Sequence, residues 1–514
     1  MRRARSARIG YPWNPDRGDG TFCNPILYAD YSDPDVVRVG DDFYLTSSSF
    51  NCTPGLPILH SRDLVNWVII NYAVKNLPHP RYNKVQPGCG IWAPAIRYHA
   101  EKFWIVFPTP DEGIYVTTAT DPAGQWSEPH LLTAGKGLID PCPLWDDDGR
   151  AYLVHAYAGS RAGIRNKLRV RPMTLDATQL TGEGAIVSEI AEHLPALEGP
   201  KFHKRNGWYY ISAASGGVAT GWQIILRSRN VYGPYEEKVV LAQRGTPING
   251  PHQGALVDTP SGEWWFVHYQ DTGVYGRVVH LQPVRWEDDW PVIGVDQDAN
   301  GVGCPVGNHP KPMVDGGNGA VMPQTSDEFD QPHLGLQWQW HSNHEKNWFS
   351  LSDRPGFLRL YPRYFPLSDF SQAGNLLLQK FPAREFTVDT ELELPAGQAH
   401  VHAGLVVMGQ EYAALDVTRD SQGYRASLIT KTGPSGDYAC RSVRLRLRVT
   451  IGDGGTCRFG VVRADGRFYI LGPAFQASAG HWIGAKVGIY CTTSNASSSN
   501  GHAEFEFFRI RSHP

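Results

Sequence analysis

The segment EGPKFHKRNGWYYI, residues 198–211, carries the pattern that decides the fold: an acidic residue stands twelve positions ahead of an aromatic residue in a strand. Four other segments repeat this spacing at eleven to thirteen residues, and two of them also have an acidic residue in the first position. The strand aromatics recur at intervals of 60, 48, 58 and 55 residues and are Tyr44, Trp104, Tyr152, Tyr210 and Trp265. Intervals of this size are typical of propeller blades. The sequence therefore predicts an all-β protein that begins with a five-bladed β-propeller.

The residues that precede the five aromatic strands are Asp33, Trp92, Asp140, Glu198 and His252. Equivalent inner-strand positions of a propeller surround its axis, so we expect these side chains to share one cavity. Glycoside hydrolysis needs one carboxylic acid and one carboxylate on opposite faces of the sugar, and a third carboxylate can raise the pKa of the acid. A single Asp-Pro is usually a turn signal. Three carboxylates in register with a five-fold repeat favour a hydrolytic site.

Length and composition narrow the class of protein. A chain of 514 residues predicts at least two domains, and a net charge of −3 without a basic stripe argues against a nucleic-acid partner. Eight cysteines without a C-x-x-C pair predict mostly free, buried thiols. Residues 1–20 contain no apolar run, so we expect neither a secretory signal nor a membrane span, which favours a cytoplasmic location over a secreted or periplasmic one.

Composition shifts divide the chain into four parts. Residues 1–20 form an N-terminal tail, and residues 21–294 contain the predicted propeller. Residues 295–325 are rich in Gly, Pro, Asn and Asp, which predicts a surface linker. Residues 326–514 form a second all-β unit, in which the alternation of Arg with Leu or Val over 443–449 indicates a strand with one solvated face. We predict that this unit is a two-sheet β-sandwich.

Three further residues have more than one interpretation. Trp92 can stack on a sugar face or fill the propeller core. His252 can bind a central cation or satisfy a hydrogen bond, although one histidine among scattered carboxylates is a weak metal signal. Arg277 can grip sugar hydroxyls or restrain the charge of the acid, or it can be a surface charge. The chain has no nucleotide or cofactor motif, so no cofactor requirement is predicted.

These motifs resemble those of glycoside hydrolase family 43, whose members are five-bladed-propeller hydrolases of arabinose- and xylose-containing glycans. The matching segments are Asn24-Pro25-Ile26-Leu27, Asp33-Pro34, residues 39–44, residues 60–67, Trp92-Ala93-Pro94, Asp140-Pro141, Glu198-Gly199-Pro200 and residues 276–284. The second unit resembles the concanavalin-like β-sandwich (jelly roll) that follows the propeller in longer β-xylosidase-like members. In those members a sandwich loop can reach the mouth of the active site.

The resemblance implies an enzyme that inverts anomeric configuration on plant cell-wall glycans or their oligosaccharides. Asp33 would be the general base, Glu198 the general acid, and Asp140 the residue that positions the acid and raises its pKa. His252 corresponds to a histidine near a central ion or water, which implies a possible structural Ca²⁺ or other cation. Arg277 corresponds to an arginine of the substrate pocket. Inversion predicts a base-to-acid separation of about 6.5–9.5 Å. No membrane partner is expected, and no oligomeric state is predicted.

The sequence departs from the family pattern in one loop. Xylosidase members carry Phe-Glu-Trp-Phe-Pro-Gly after the first aromatic strand, whereas this chain has Phe50-Asn51-Cys52-Thr53-Pro54-Gly55. Phe50 and Cys52 are therefore candidate substrate contacts. The loss of a stacking ring at Cys52 favours α-L-arabinofuranosidase over β-xylosidase activity.

Three alternatives remain at this stage. One is a retaining, fructan-type propeller enzyme with carboxyl groups about 5–5.5 Å apart, although the Trp-Met-Asn-Asp-Pro-Asn and Glu-Cys signatures of that clan are missing. Another is a non-catalytic carbohydrate-binding propeller, which we expect to have lost at least one of the three carboxylates. The third is a hydrolase of another glycoside.

Overall fold

The computed structural model describes residues 11–189, 194–317, 319–395, 397–398, 400–495 and 500–512. Residues 1–10 of the predicted tail lie outside this set. Five antiparallel four-stranded sheets, each with its strands in chain order, form a five-bladed propeller, as predicted. The first two blades contain β2 (Asp35–Val39), β3 (Asp42–Thr46), β4 (Gly55–Ser61), β5 (Val68–Val74), β6 (Ala95–His99), β7 (Lys102–Thr109), β8 (Gly113–Ala119) and β9 (His130–Ala134).

The remaining three blades follow without interruption by another domain. Blade three contains β10 (Leu138–Trp145), β11 (Ala151–Tyr157), β12 (Leu168–Met173) and β13 (Ala185–Ser188). Blade four contains β14 (Glu198–Arg205), β15 (Trp208–Ser215), β16 (Trp222–Ser228) and β17 (Glu236–Leu241). Blade five contains β18 (His252–Asp258), β19 (Trp264–Asp271), β20 (Arg277–Glu287) and β21 (Trp290–Ile293).

The segment before the first blade closes the ring of blades. Leu27 pairs antiparallel with Val279 of β20, so the start of the chain extends the last blade. The Asn24 side chain donates to the carbonyl groups of Leu281 and Val306 and accepts from the N–H of Leu281. These bonds join the two ends of the propeller, which fixes the first blade relative to the fifth.

The predicted linker contains regular structure. Within it, β22 (Asn308–Pro310) pairs antiparallel with β1 (Thr21–Cys23). Gly303 forms a parallel bridge with Leu241 of blade four, and Cys304 bridges Val295. Backbone pairing therefore ties residues 295–325 to the propeller, because a connection that lies against strand edges satisfies its N–H and C=O groups there.

The second unit is a two-sheet β-sandwich, also as predicted. One sheet has the order β23 (Gln339–Trp340), β26 (Leu377–Lys380), β36 (Lys486–Thr493), β28 (Val401–Met408), β29 (Tyr412–Asp420), β30 (Gly423–Thr430) and β31 (Gly433–Cys440). The other contains β24 (Phe349–Ser350), β25 (Leu358–Leu360), β37 (Ala503–Ser512), β27 (Phe386–Glu393), β32 (Arg444–Gly452), β33 (Thr456–Val462), β34 (Phe468–Ile470) and β35 (Phe475–Gln476). The core lies between the sheets, and Leu445, Leu447 and Val449 of β32 point into it.

Helical structure within the described residues is confined to short turns. These are α1 (Gly159–Ala162) and the 3₁₀ turns Pro80–Asn83, Gly273–Tyr275, Lys346–Trp348, Phe370–Gln372 and Asp453–Gly455. Among the described residues we find no helix with the length and apolar character that a membrane crossing requires. All eight cysteines are free and five are buried, which agrees with the sequence prediction.

The sandwich packs against the wall of the first blade. Thr53 and Trp340 exchange two backbone hydrogen bonds, at 3.0 and 2.6 Å. Asn51 donates to the His341 carbonyl at 2.7 Å, and Gln339 donates to the Pro54 carbonyl at 2.9 Å. The loop that connects β3 and β4 is therefore held by the sandwich.

Candidate active site

A cavity of about 100 Å³ at the propeller axis is lined by most of the predicted site residues. Its lining residues are Asp33, Phe50, Trp92, Ala93, Ile139, Asp140, Glu198, Val218, Gln253, Arg277 and Trp482. The three carboxylates predicted from the blade repeat therefore lie in one cavity, together with an arginine and three aromatic rings. His252 and Cys52 are not among the lining residues.

An unusual backbone conformation recurs where the blades meet the cavity. Asp33, Asp140, Gly199 and Gln253 have φ values of 54°, 54°, 65° and 54°. Left-handed conformations are uncommon for residues other than glycine, and they concentrate at functional sites. The strands β10, β14 and β18 have register shifts at Asp140, Gly199 and Gln253, so the extra residue of each bulge is the left-handed one.

The strand pairing corrects the alignment of Asp140 with Glu198 that the sequence predicted. Glu198 pairs with Ala214 just before its bulge, as Ile139 pairs with Ala156 before the bulge at Asp140. Glu198 therefore stands one residue earlier than the position that Asp140 occupies. A glutamate side chain is one methylene longer than aspartate, and the Glu198 side chain still lines the cavity.

The Asp33 carboxylate is buried and both of its oxygens accept hydrogen bonds. Arg277 donates from Nη1 to Oδ1 at 2.6 Å, and the Ser48 hydroxyl donates to Oδ2 at 2.6 Å. Arg277 is itself fixed, because its backbone N–H donates to Asp30 Oδ1 at 3.0 Å. Charge-assisted bonds of this kind orient a carboxylate strongly. Asp33 is thus held in one direction at the cavity wall, as a general base requires.

Asp140 and Glu198 form an electrostatically coupled pair. The backbone N–H of Gly199 donates to Asp140 Oδ2 at 2.8 Å, which joins blade three to blade four beside Glu198. Burial raises the pKa of Asp140, and the charge of Asp33 raises it further. Burial and the charge of Asp140 raise the pKa of Glu198, against the opposing effect of Arg277. A carboxyl group with a raised pKa keeps its proton near neutral pH, which suits a general acid.

Aromatic rings form another part of the cavity wall. The Trp92 indole N–H donates to the Gly88 carbonyl at 3.1 Å, and the Phe50 and Trp92 rings lie 6.5 Å apart. Phe50 exchanges backbone hydrogen bonds with Ile91 at 2.9 and 3.0 Å, which fixes the loop against blade two. Trp92 is half-buried and Phe50 is buried, and an aromatic ring at a cavity wall can stack on the apolar face of a sugar.

The structure does not place Cys52 where the sequence comparison predicted. Cys52 is buried in the domain interface, where its sulfur accepts a hydrogen bond from Lys486 Nζ at 3.0 Å. The next residue, Thr53, pairs through its backbone with Trp340 of the sandwich, which explains why the Cys52 side chain points into the domain interface. Cys52 therefore does not line the cavity, in contrast to the position expected from the sequence.

His252 lies behind the cavity wall. Its Nε2 is 2.9 Å from the Gly217 carbonyl, its ring packs edge-on against Tyr269, and its Nδ1 has no hydrogen-bond partner among the described residues. Burial lowers the pKa of His252 to about 4, so the ring is neutral. No group of three or more His, Cys, Asp or Glu side chains within the described residues has a metal-binding arrangement. The residues around His252 thus do not fit a protein-built cation cage.

Sequence reasoning missed four contributors to the site. Ser48 and Asp30 support Asp33 and Arg277, and Gln253 lines the cavity from blade five. Trp482 reaches the cavity from the sandwich, with its ring centroid 5.8 Å from Arg277 Cζ. The N–H of Gly484 donates to Asp30 Oδ2 at 3.1 Å and anchors this sandwich loop. The family resemblance indicated a loop at the mouth, but no local signal singled out Trp482.

Comparisons with known proteins agree with this architecture. The sequence model described as "Glycosyl hydrolases family 43" matches residues 22–291, and "Beta xylosidase C-terminal Concanavalin A-like domain" matches residues 326–511. A putative beta-xylosidase of Xylanibacter ruminicola is 40% identical over 93% of this chain and 87% of its own length. The non-reducing end alpha-L-arabinofuranosidase BoGH43B of Bacteroides ovatus is 30% identical over 96% of this chain and 95% of its own. The crystal structure of the GH43 protein BlXynB from Bacillus licheniformis superposes with a TM-score of 0.82 at 26% identity, covering 96% and 100% of the two chains.

Proposed function

Because the chain belongs to glycosyl hydrolase family 43, we propose that it removes single terminal pentosyl residues from plant cell-wall glycans by inverting hydrolysis. Glu198 is the general acid in this proposal and Asp33 is the general base. The observation that carries it is the shared cavity, in which an oriented Asp33 lies with a Glu198 whose pKa is raised. A small cavity flanked by Trp92 and Trp482 suits a chain end better than the interior of a polymer.

Each step of the proposed reaction uses one carboxyl group. Asp33 accepts a proton from a water molecule as the water attacks the anomeric carbon, and Glu198 donates its proton to the departing oxygen. Asp140 stays beside Glu198, bonds the N–H of Gly199 and keeps the pKa of the acid high. The Arg277 guanidinium orients Asp33 and contributes positive charge to the same cavity.

For the sugar, we propose β-D-xylose as the first candidate. The sequence-based preference for arabinofuranose rested on the loss of a stacking ring at position 52 of the pocket wall, and the Cys52 side chain contacts Lys486 in the domain interface instead of lining the cavity. The Xylanibacter ruminicola relative is described as a putative beta-xylosidase, and a further relative from Formosa agariphila, 32% identical over 96% of this chain, as a beta-xylosidase. α-L-arabinofuranose is the second candidate, supported by the Bacteroides ovatus relative.

Two aryl glycosides test the proposal. Initial rates on an aryl β-D-xylopyranoside and an aryl α-L-arabinofuranoside are compared for the wild type and for Asp33→Asn as the blank. We expect the xyloside to be cleaved faster and the variant to be inactive on both. A higher kcat/KM on the arabinofuranoside would reverse the assignment of the sugar. Absence of wild-type turnover on both would contradict pentosidase activity.

A further inference from the structure

The turn that connects β19 and β20 leads directly into Arg277, and the sandwich contacts this turn at consecutive residues. The N–H of Ala485 donates to the Val274 carbonyl at 2.7 Å. The Tyr275 hydroxyl donates to the Arg384 carbonyl at 2.9 Å. These bonds satisfy polar groups of both domains, so the turn and the sandwich are held together where they meet. The position of Arg277 in the propeller therefore depends on contacts with the second domain.

Two glycines bring the backbones of the two domains into direct contact at this turn. A Cβ atom at Gly484 would lie 2.7 Å from the Gly276 nitrogen and 2.7 Å from the Tyr275 carbonyl oxygen. A Cβ atom at Gly276 would lie 2.6 Å from the Gly484 nitrogen, and the φ of 73° at Gly276 also favours glycine. Because side chains are excluded at both positions, the sandwich backbone reaches the residue that directly precedes Arg277.

The Asp30 carboxylate lies in the same junction and accepts hydrogen bonds from both domains. It is 4% exposed, its Oδ1 accepts from the Arg277 N–H at 3.0 Å, and its Oδ2 accepts from the Gly484 N–H at 3.1 Å. The Ser32 hydroxyl donates to Oδ1 at 2.8 Å. The N–H of Tyr31 donates to the Arg277 carbonyl at 3.2 Å. Both backbone groups of Arg277 are therefore fixed by one short segment that is also bonded to the sandwich.

We propose that Asp30 is a positioning residue for the reaction, through which the sandwich sets the orientation of the general base. This inference rests on the proposed function, which assigns Asp33 as that base. Asp30 does not line the cavity and acts through Arg277, whose guanidinium donates to Asp33 Oδ1 at 2.6 Å. A displacement of about 1 Å at the reacting groups can cost about 10²-fold in rate. The rate of hydrolysis therefore depends on how the two domains pack.

The charge of Asp30 has a second effect, on the lysines of the domain interface. Lys380 and Lys486 stand directly opposite each other across β26 and β36. Burial and the charge of Lys486 lower the pKa of Lys380 to about 8, and the charge of Asp30 opposes this shift. Asp30→Ala therefore removes a charge as well as the hydrogen bonds. Gly484→Ala keeps the carboxylate, and its added methyl group meets backbone atoms of the turn, so one of the two chains must shift.

Steady-state kinetics on the aryl glycoside that the wild type cleaves tests the inference. We expect kcat of both Asp30→Ala and Gly484→Ala to fall about 10–10²-fold. In an Arg277→Ala background, neither substitution should lower kcat further by more than about twofold, because effects that act through one residue are not additive. An equal loss in the two backgrounds would overturn the proposal, and so would wild-type kcat in both single variants.

Two matched variants separate positioning from stability. Asp327 is a buried acid of the sandwich, 6% exposed, that accepts from the N–H groups of Phe329 and Gly335 at 2.9 and 3.2 Å. Asp327→Ala should lower the melting temperature as Asp30→Ala does and keep wild-type kcat. Gly452→Ala adds a methyl group whose nearest contact is 3.7 Å away, and it should also keep kcat. A loss of kcat in Asp327→Ala equal to that in Asp30→Ala would overturn the proposal.

The crystal structure of Gly484→Ala gives a readout that needs no activity. We expect the distance from Arg277 Nη1 to Asp33 Oδ1 to exceed about 3.5 Å, the limit of a hydrogen bond. An unchanged contact would overturn the proposal. Asp30→Ala replaces this variant in the same measurement if Gly484→Ala folds poorly. If the wild type cleaves neither aryl glycoside, the proposed function fails, and this distance alone decides whether the sandwich orients Asp33.

Discussion

Asp140 accepts a hydrogen bond at 2.8 Å from the backbone N–H of Gly199, the residue that directly follows Glu198. One carboxylate therefore fixes the chain that carries the other and, through its charge, raises the pKa of Glu198. The Asp140 carboxylate therefore both positions the proposed acid and keeps it protonated. This relationship explains why a third carboxylate is needed beside an acid and a base.

The loss of kcat/KM caused by replacement of Glu198 by Gln should depend on the leaving group of the substrate. Glycosides with poor leaving groups should lose about 10²–10⁴-fold in kcat/KM, because protonation of the departing oxygen contributes about that much. Aryl glycosides with strongly acidic leaving groups need little protonation and should lose far less. Initial rates on the two substrate types measure the difference, and equal losses on both would exclude Glu198 as the acid.

The profile of kcat/KM against pH should have a falling alkaline limb that is set by the deprotonation of Glu198. The acid is active in its protonated form, and burial and the charge of Asp140 raise its pKa. Activity should therefore persist at neutral pH and fall as the pH rises through that raised pKa. A profile of kcat/KM against pH measures the limb. Activity lost already above the usual glutamate range would contradict the electrostatic argument.

Replacement of Asp140 by Asn should move this limb to lower pH. The variant removes a negative neighbour of Glu198, so the pKa of the acid falls and its proton is lost earlier. The rate should also fall, since the amide does not hold the Gly199 N–H as strongly. Asp147→Asn, at an exposed turn residue of the same blade, is the control and should leave the limb in place. A reduced rate with an unmoved limb would limit Asp140 to a positional role.

Replacement of Trp482 by Ala should impair substrate binding more than chemistry. The ring lines the cavity from the sandwich and has no group that transfers a proton in the reaction. We expect KM to rise on the order of two- to tenfold with little change in kcat, consistent with the loss of one aromatic contact. Tyr469→Ala, at a ring of similar exposure, 44% against 47%, is the matched control. An unchanged KM would show that the sandwich does not contribute to the substrate pocket.

Metal removal should leave the rate unchanged. The described residues offer no metal-binding group of three side chains, and His252 has a single unpaired nitrogen. Activity and melting temperature after dialysis against a chelator should match those of the untreated protein. A lower value of either that recovers with added Ca²⁺ would instead place a cation near the propeller axis.

The features that the sequence predicts are those repeated along the chain. The five strand aromatics fix the number of blades, and Asp33, Asp140 and Glu198 precede their strands at nearly constant distance, so local patterns suffice. The same counting cannot detect a difference in the number of residues in two hairpins. β10 and β14 have the same register shift, and only the strand pairing shows that Glu198 stands one position earlier than Asp140.

The features that the sequence does not predict arise where the two domains pack. Cys52 is directed at Lys486 and away from the cavity because Thr53, next in the chain, pairs with Trp340. Trp482 reaches the catalytic cavity because its loop is anchored to Asp30. Both environments involve residues hundreds of positions apart, and no local pattern encodes such contacts.

The configuration of the first sugar released tests the central claim most directly. ¹H NMR spectra recorded during the first minutes of hydrolysis of an aryl β-D-xyloside distinguish the two anomers before they interconvert. Inversion by Asp33 and Glu198 predicts that α-D-xylose appears first and β-D-xylose only later, by mutarotation. Initial release of β-D-xylose would show retention and would contradict the assignment of Asp33 as a base that activates water.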